Sequence, residues 1–375
     1  MKLVKTCSRC IYDESVPAIT FDENGICNYC KTHEQLENEY PTGEAGRKKL
    51  EKLAENIRKS GRGKKYDCVV GISGGCDSSY LLHVTKEKLG LRPIAVHFDN
   101  TWNSKTAVEN IDLVLSKLNI PLWTYVMDNC EYSDLARSML LASVPEIDAL
   151  TDIALVTTLY MAAEKFKVKY IFDGHSFRTE GITPLNWFYF DGKYIDSIHR
   201  LYGRDEMKRF PNLWIGKWIR WLLMNIKRVR PLYYVDYNKE EVKQFLTREY
   251  RWKWYKGHHH ENRYCAFNHW LLREKFNRDL RYVEFSAMIR SGQMTREQAL
   301  KEIQRPPEYP DELISEVKKR LEFSDEEFER ILKLPVKSAK DYPTYLPTFR
   351  RMKPFFWIMY KADLVPKSFY MKYCN

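Results

Sequence analysis

Residues 73–79, Ser73-Gly74-Gly75-Cys76-Asp77-Ser78-Ser79, put two glycines, a carboxylate and three hydroxyls into one turn. The apolar run before them, 68–72, ends in Gly71 and Ile72 and reads as a buried strand. Tyr80-Leu81-Leu82-His83-Val84 follows and reads as the opening of a helix. A strand, a Gly-Gly turn and a helix N-terminus together make an anion cradle. Successive backbone N–H groups point into the turn, and the helix dipole adds partial positive charge. Glycine lets the backbone approach a phosphate with no Cβ in the way. Asp77 stands where a carboxylate can hold Mg²⁺ against those phosphates, and Ser73, Ser78 and Ser79 add donors. The pattern is not the Walker loop, because no lysine follows the glycines. The competing reading is a Ser/Gly-rich turn without a ligand.

A second group of reactive side chains opens the chain. Cys7-x2-Cys10 and Cys27-x2-Cys30 are separated by sixteen residues, the spacing of a zinc ribbon. Each C-x2-C folds as a knuckle that aims two thiolates at one ion, and two knuckles complete a tetrahedron. Four protein ligands leave no open position, so the zinc is expected to be structural. Residues 17–26 between the knuckles read as a hairpin turning at Asn24-Gly25. So short a segment buries little core, and metal would supply much of its folding energy. A redox dithiol is the alternative.

The elements that must position these groups alternate. Strands are expected at 66–72, 92–99, 122–127 and 169–173, and helices at about 80–89, 104–118, 133–141 and 151–166. Such alternation means an α/β fold, a parallel sheet with helices on both faces, with ligands at the carboxyl ends of the strands. Polar residues fall at those ends: the Ser73 loop, then Phe98-Asp99, then Asp173-Gly174-His175. A strand-end aspartate is also a common turn or helix cap. The expected organisation is a zinc ribbon (1–35), a helical connector (36–60), an α/β domain that carries the Ser73 loop (61–186) and a mostly helical domain (187–375).

The whole chain has 375 residues, 44% of them apolar, and a net charge of +11. The surplus suits any polyanion without choosing among them. It gathers after Trp187, in Lys208-Arg209, Lys227-Arg228-Val229-Arg230 and Arg251-Trp252-Lys253-Trp254. No apolar stretch is long enough to cross a bilayer, and the first residues lack the apolar core of a secretory signal. A cytoplasmic location is expected, and with it no disulfide framework from the nine cysteines.

The string Ser73–Ser78 resembles S-G-G-x-D-S, the pyrophosphate-binding loop of the PP-loop ATP pyrophosphatase superfamily (adenine nucleotide alpha hydrolase-like). Along nearly its whole length the chain resembles one branch, the N-acetyl sugar amidotransferases of bacterial surface-polysaccharide synthesis (WbpG-type proteins). The resemblance rests on Cys7-Ser8-Arg9-Cys10, the Gly71–Gly75 loop, Val96-His97-Phe98-Asp99-Asn100-Thr101-Trp102-Asn103 and Phe172-Asp173-Gly174-His175. Its specific part is C-terminal: His259-His260-Glu261-Asn262-Arg263 and Ser291-Gly292-Gln293-Met294-Thr295-Arg296-Glu297. Cys76 fills a variable loop position where small apolar residues are common.

The resemblance implies that ATP adenylates the carbonyl oxygen of a sugar N-acetyl group on a nucleotide-linked sugar. Ammonia then attacks, AMP leaves, and an acetamidino group remains, as a step in O-antigen or other surface-glycan synthesis. It implies ATP binding by Gly71, Ile72, Ser73, Gly74, Gly75, Asp77, Ser78, Ser79, Phe98, Asp99 and Gly174, with catalytic roles for Asp77, Asp173 and His175. His259, Glu261 and Arg263 are the expected substrate contacts, with Arg263 able to take a diphosphate bidentately. The implied cofactors are ATP with Mg²⁺ on Asp77, and structural zinc on Cys7, Cys10, Cys27 and Cys30. No glutaminase motif is recognisable, and the resemblance implies separate partners that deliver ammonia, a class I glutaminase and a barrel protein similar to the histidine-biosynthesis cyclase. No nucleic acid is expected.

Two alternatives stay open. One is a tRNA thiolase of the PP-loop type, with Cys130 as the sulfur-relay candidate. The other is a non-catalytic nucleotide/RNA-binding scaffold. In the C-terminal half, residues 213–224 form an apolar stretch studded with Lys and Arg. It fits a helix lying on a membrane, on a partner or in the core. Ser324 with Glu327 reads as a capping box, and 354–359 is expected to dock the tail.

Overall fold

The structure is a computed structural model. It describes residues 4–375 except 256, 258, 259, 363, 366–368, 371, 372 and 375. Five parallel strands form one sheet: β1 (Cys68–Gly71), β2 (Pro93–Asp99), β3 (Leu122–Val126), β4 (Tyr170–Phe172) and β5 (Lys227–Val229), in the order β3-β2-β1-β4-β5. β1 pairs β2 with Val69 opposite Ile94, and pairs β4 with Val69 opposite Ile171. The order reverses between β2 and β4 around β1. That switch opens a crevice at the carboxyl ends of β1 and β4.

Side chains alternate across a strand, and the two faces take different partners. Cys68 and Val70 pack with Leu50, Ala54 and Ile57 of the helix Gly43–Ser60, and with Leu81, Val114 and Leu246. Val69, Ile94, Val96 and Ile171 turn to the other face. There they meet Leu159, Ala162 and Ala163 of the helix Ala149–Lys165. Helices therefore cover both faces, as the strand–helix alternation requires.

β5 is not legible as a strand in the sequence. It is three residues of a basic run, all half-buried, and pairs with β4 through Tyr170–Lys227 and Phe172–Val229. Its charges are held because Arg228 and Arg230 both reach Asp173 at the end of β4. The sheet thus draws its edge from beyond residue 186, the expected limit of the α/β domain. The helix expected from 133 starts earlier, at Asn129, because Asp128 Oδ1 accepts from the N–H groups of Cys130 and Glu131.

The apolar stretch near 213–224 is the helix Ile215–Leu223, whose Trp218, Trp221 and Leu222 are buried. Trp218 stacks on Phe356 at 5.5 Å between centroids, and Phe356 is fully buried in the helix Lys353–Lys361. Each such side chain contributes about 1.5–3 kcal/mol by leaving water, so this helix spends its apolar face on the protein itself. Among the described residues no helix is long and apolar enough to cross a membrane. Ser324 caps Asp325–Lys333 with Glu327 in a complete capping box.

Candidate active site

The Ser73 loop leaves β1 and enters the helix Cys76–His83, with Gly75 as the extended N-cap. Gly74 has φ +82°, and a Cβ there would lie 2.3 Å from the Ala107 carbonyl oxygen, so only glycine fits. Asn110 Nδ2 and Trp252 Nε1 both donate to the Gly74 carbonyl, at 3.2 and 3.0 Å. Trp252 belongs to the C-terminal half, which therefore clamps the turn. Ser73 Oγ lies 3.2 Å from Ser78 Oγ and donates to Glu261 Oε1 at 3.2 Å. A Cβ at Gly75 would come within 2.8 Å of Glu261 Oε1 and 3.2 Å of Tyr255 Oη.

Ser73, Gly75, Ser78, Tyr255 and Glu261 line a cavity of about 490 Å³. Ile72, Ser73, Gly75, Asp77 and Ser78 form its β1 wall. Gly174 and His175 form its β4 wall, with the Gly174 Cβ direction 3.5 Å from the Ser78 nitrogen. Tyr237 donates its hydroxyl to Asp77 Oδ1. His97 and Phe98, from β2, line the same space. His97 Nδ1 donates to the Ile72 carbonyl at 2.8 Å, and its Nε2 accepts from Asn103 at 3.1 Å. Burial lowers its pKa, so it is a neutral ring.

Several expected site residues hold the wall from behind. Asp173 does not line the cavity. Its Oδ2 accepts from Arg228 at 2.7 Å and Arg230 at 3.1 Å, and its Oδ1 from the His175 N–H. Burial alone would raise its pKa, but the two guanidinium groups hold it well below the usual carboxylate range. Asp99 Oδ1 accepts from Thr101 N–H and Asn103 Nδ2 and caps the turn after β2. Gly71 ends β1 against Leu159. Ser79 is buried with no hydrogen-bond partner for Oγ. Arg263 is committed to Glu316 and the Asp311 carbonyl, so its guanidinium is not available as a diphosphate fork. His259 lies outside the described residues. Of that block, Glu261 and Asn262 reach the cavity.

His175 Nδ1 lies 2.9 Å from the Tyr233 hydroxyl. Burial, then Arg230, lowers its pKa to about 4. It is neutral near pH 7 and suits accepting or relaying a proton. Glu180, behind it, is pushed well above the usual range by burial and then by Asp77. Lys239 is the one lysine or arginine among the described lining residues. It pairs with Glu284 at 3.1 Å. Gln293 fixes this corner, accepting from the Lys239 N–H and donating to the Tyr237 carbonyl. Glu180, Tyr237, Lys239 and Tyr255 carry no sequence motif and are brought in by the fold.

The four cysteines form a separate buried cluster whose sulfurs all lie within 4.8 Å of one another. Cys7–Cys30, Cys10–Cys27 and Cys27–Cys30 are 3.8, 3.7 and 3.6 Å apart. A tetrahedron with metal–sulfur arms of ~2.3 Å has edges of about 3.8 Å, so the donors fit one ion of that size. The expected hairpin between the knuckles reduces to a single bridge, Phe21–Cys27. Arg290 Nε and Nη2 donate to Cys30 and Cys10 at 3.3 and 3.2 Å. Val283, on the same helix, belongs to both the ribbon core and the cavity wall. Cys130, by contrast, is exposed at the start of the helix Asn129–Leu141 and is not among the cavity-lining residues.

Residues 249–354 match the model of the LPS biosynthesis protein WbpG-like, C-terminal domain. The resemblance to WbpG-type proteins holds in this region, which includes Glu261 and the Ser291–Glu297 block. Over 170 residues, 45% of this chain, the sequence is 28% identical to the uncharacterized protein MJ1599 of Methanocaldococcus jannaschii, spanning 58% of that protein's length. Among solved structures, NMN synthetase from Francisella tularensis is 14% identical, covering 78% of this chain and 97% of that one, with a TM-score of 0.34. NH3-dependent NAD synthetase from Campylobacter jejuni is 12% identical over 78% and 98%, at 0.29. U34-tRNA thiolase NcsA from Methanococcus maripaludis is 14% identical over 89% and 91%, also at 0.29. Overlaps this loose say nothing of activity.

Proposed function

We propose that the chain is an ATP-dependent amidotransferase that converts the acetamido group of a nucleotide-linked sugar into an acetamidino group, releasing AMP and pyrophosphate. The observation that carries this reading is the contact of Glu261, from the WbpG-like region, with Ser73 of the phosphate loop. Acceptor-binding and ATP-cleaving parts then share one cavity.

An amide carbonyl is a poor electrophile, and its oxygen leaves only once it is a phosphate ester. Catalysis is therefore positioning and charge stabilisation. Ser73, Gly75 and Ser78 hold the triphosphate at the helix N-terminus. Ile72 and Phe98 offer the adenosine an apolar wall. Asp77 fits a Mg²⁺ ligand, as a carboxylate on the cavity wall oriented by Tyr237. The ion would offset phosphate charge there. Cys7, Cys10, Cys27 and Cys30 would hold structural zinc. Neutral His175, backed by Tyr233, stands where it can take a proton released during attack. Ammonia would come from a partner class I glutaminase through a barrel protein, and the product would enter surface-glycan synthesis.

The test is to incubate the protein with ATP, Mg²⁺, ammonium and UDP- or CMP-linked acetamido sugars. The expected outcome is a mass change replacing oxygen by NH, with equimolar AMP and pyrophosphate. Pyrophosphate release that depends on tRNA and not on any acetamido sugar would overturn the reading.

A further inference from the structure

The cavity continues past the phosphate loop to an end built between two helices. The helix Ala149–Lys165 lines it with Ala149. The helix Arg263–Phe276, in the WbpG-like region, lines it with Cys265 and Asn268. These two are three residues apart and share one face of their helix. Cys265 Sγ donates to Asp148 Oδ1 at 3.4 Å, which sets that face against the start of the Ala149 helix. The segment just before Arg263 reaches the phosphate loop through Glu261 and Ser73. Asn268 therefore stands on an element whose leading end is fastened to the Ser73 turn.

Asn268 is 6% exposed, and among the described residues its Oδ1 finds no hydrogen-bond partner. Nearly all buried polar atoms in folded proteins are paired, because an unpaired one carries its desolvation cost with nothing to offset it. An amide oxygen only accepts, so what Asn268 lacks is an N–H or O–H donor. The fold supplies none, and the cavity is the space from which one can arrive.

We propose that Asn268 Oδ1 accepts the N–H of the substrate's acetamido group and so selects an amide as the group to be activated, with Ala149 offering the acetamido methyl an apolar wall. This rests on the amidotransferase reading. In the activating step a lone pair of the acetamido carbonyl oxygen forms a bond to the α-phosphorus of ATP. The bond from that phosphorus to the departing oxygen breaks, and its electron pair leaves on pyrophosphate. The nitrogen lone pair moves into the C–N bond, so the adenylated imidate carries positive charge at a nitrogen that keeps its proton. That N–H is a stronger donor than the N–H of the free amide. Its hydrogen bond to a fixed carboxamide oxygen tightens as the reaction proceeds, which lowers the barrier rather than merely binding the substrate. A sugar hydroxyl could also pair with Oδ1, but it gains no charge in this step. An ester in place of the amide has no N–H and leaves Oδ1 unpaired, a mismatch that such sites reject.

The experiment follows acceptor-dependent ATP–pyrophosphate exchange, which needs no ammonium, with UDP- and CMP-linked acetamido sugars. In Asn268→Leu, which keeps the branched outline without the polar atoms, kcat/KM for the acetamido sugar should fall at least about tenfold, while the KM for ATP stays within about twofold. Binding of each acetamido sugar and of its acetoxy counterpart is measured beside a non-hydrolysable ATP analogue. The unaltered protein should prefer the acetamido sugar by at least about tenfold, and the variant should bind the two within about twofold of each other. Without substrate the Tm of the variant should hold or rise, because no native hydrogen bond of Oδ1 is lost, whereas a residue that only supports the fold would lower it. Where Asn268→Leu does not fold, Asn268→Ala is held to the same outcomes. A preference that survives in the variant, an acetoxy sugar bound as tightly as the acetamido sugar by the unaltered protein, or a KM for ATP rising in step overturns the assignment and leaves the amidotransferase reading standing. Exchange with none of the acetamido sugars sinks that reading and this inference with it.

Discussion

Glu261 Oε1 and Ser73 Oγ are 188 residues apart in the chain and 3.2 Å apart in space. This contact ties the WbpG-like region to the phosphate loop, and Gly75 must lack a side chain for it to form. Removing Glu261 leaves Ser73 without its charged acceptor, a loss of about 1.5–3 kcal/mol for a hydrogen bond to an ionised group. Glu261→Ala is expected to lower kcat/KM by about ten- to a hundredfold. Glu261→Gln, which still accepts from Ser73, should lose less. Steady-state pyrophosphate release checks both, and equal losses would separate the effect from this bond.

Asp77 and Tyr237 give a second pair. If Asp77 holds Mg²⁺, Asp77→Asn should cost about a hundredfold or more in kcat and shift the Mg²⁺ titration to higher concentration. Tyr237→Phe leaves the carboxylate in place and should cost about tenfold or less. Comparable losses in the two variants would mean that Asp77 serves the fold through Tyr237 rather than the metal.

Cys130 is the residue on which sulfur transfer would depend. It is exposed and outside the cavity lining. Cys130→Ser is therefore expected to leave sugar-dependent pyrophosphate release within about twofold of the unaltered protein, since exposed substitutions away from special contacts cost little. Loss of activity in that variant would revive the thiolase reading.

The local parts of this site were legible in the sequence, and the long-range parts were not. Ser73 through Ser79 and the cysteine quartet announce themselves because one turn or two knuckles hold their whole geometry. β1, β2 and β4 were readable because buried parallel strands are continuous apolar runs, and β3, a partly exposed edge strand, because Leu122-Trp123-Thr124-Tyr125-Val126 is rich in strand-forming residues. β5 was not, because Lys227-Arg228-Val229-Arg230 looks like a solvated surface until Asp173 is placed beside Arg228 and Arg230. The same ion pairs explain why Asp173, which reads as a catalytic strand-end aspartate, supports the wall instead. Arg263 reads as a substrate fork only while Glu316 is unseen. Tyr237 and Lys239 belong to no motif, and only tertiary packing brings them to the site.

Asp173 also sets a pH dependence. Its folded-state pKa is depressed by Arg228 and Arg230, so its contribution is fully present above the unfolded value of about 3.9 and fades as pH falls below it. Arg228 and Arg230 are partly buried, and losing their shared carboxylate costs about 1.5–3 kcal/mol, the worth of a hydrogen bond to a charged group. Asp173→Asn should therefore lower Tm by several degrees at pH 7. The gap between variant and unaltered protein should close as the pH falls below about 4. Thermal melts from pH 3 to 7 check this, and a gap that widens toward acid would contradict the sign.

The ribbon should matter to a cavity it does not line. Cys10 and Cys30 accept from Arg290, and Val283 on the same helix packs on the ribbon with one side and the cavity with the other. Metal removal leaves four thiols crowded in a buried space and Arg290 without its compensating charge, so the helix Arg281–Arg290 loses its anchor. The purified protein is expected to carry one zinc per chain by elemental analysis. Cys10→Ser should abolish that stoichiometry and lower Tm, because structural metal is folding free energy. The KM for ATP should rise as well, through the displaced wall, although Cys10 touches nothing in the cavity. Arg290→Ala should reproduce the rise in KM while retaining zinc. A variant that loses zinc yet keeps both Tm and the KM for ATP would show that the ribbon is an independent appendage.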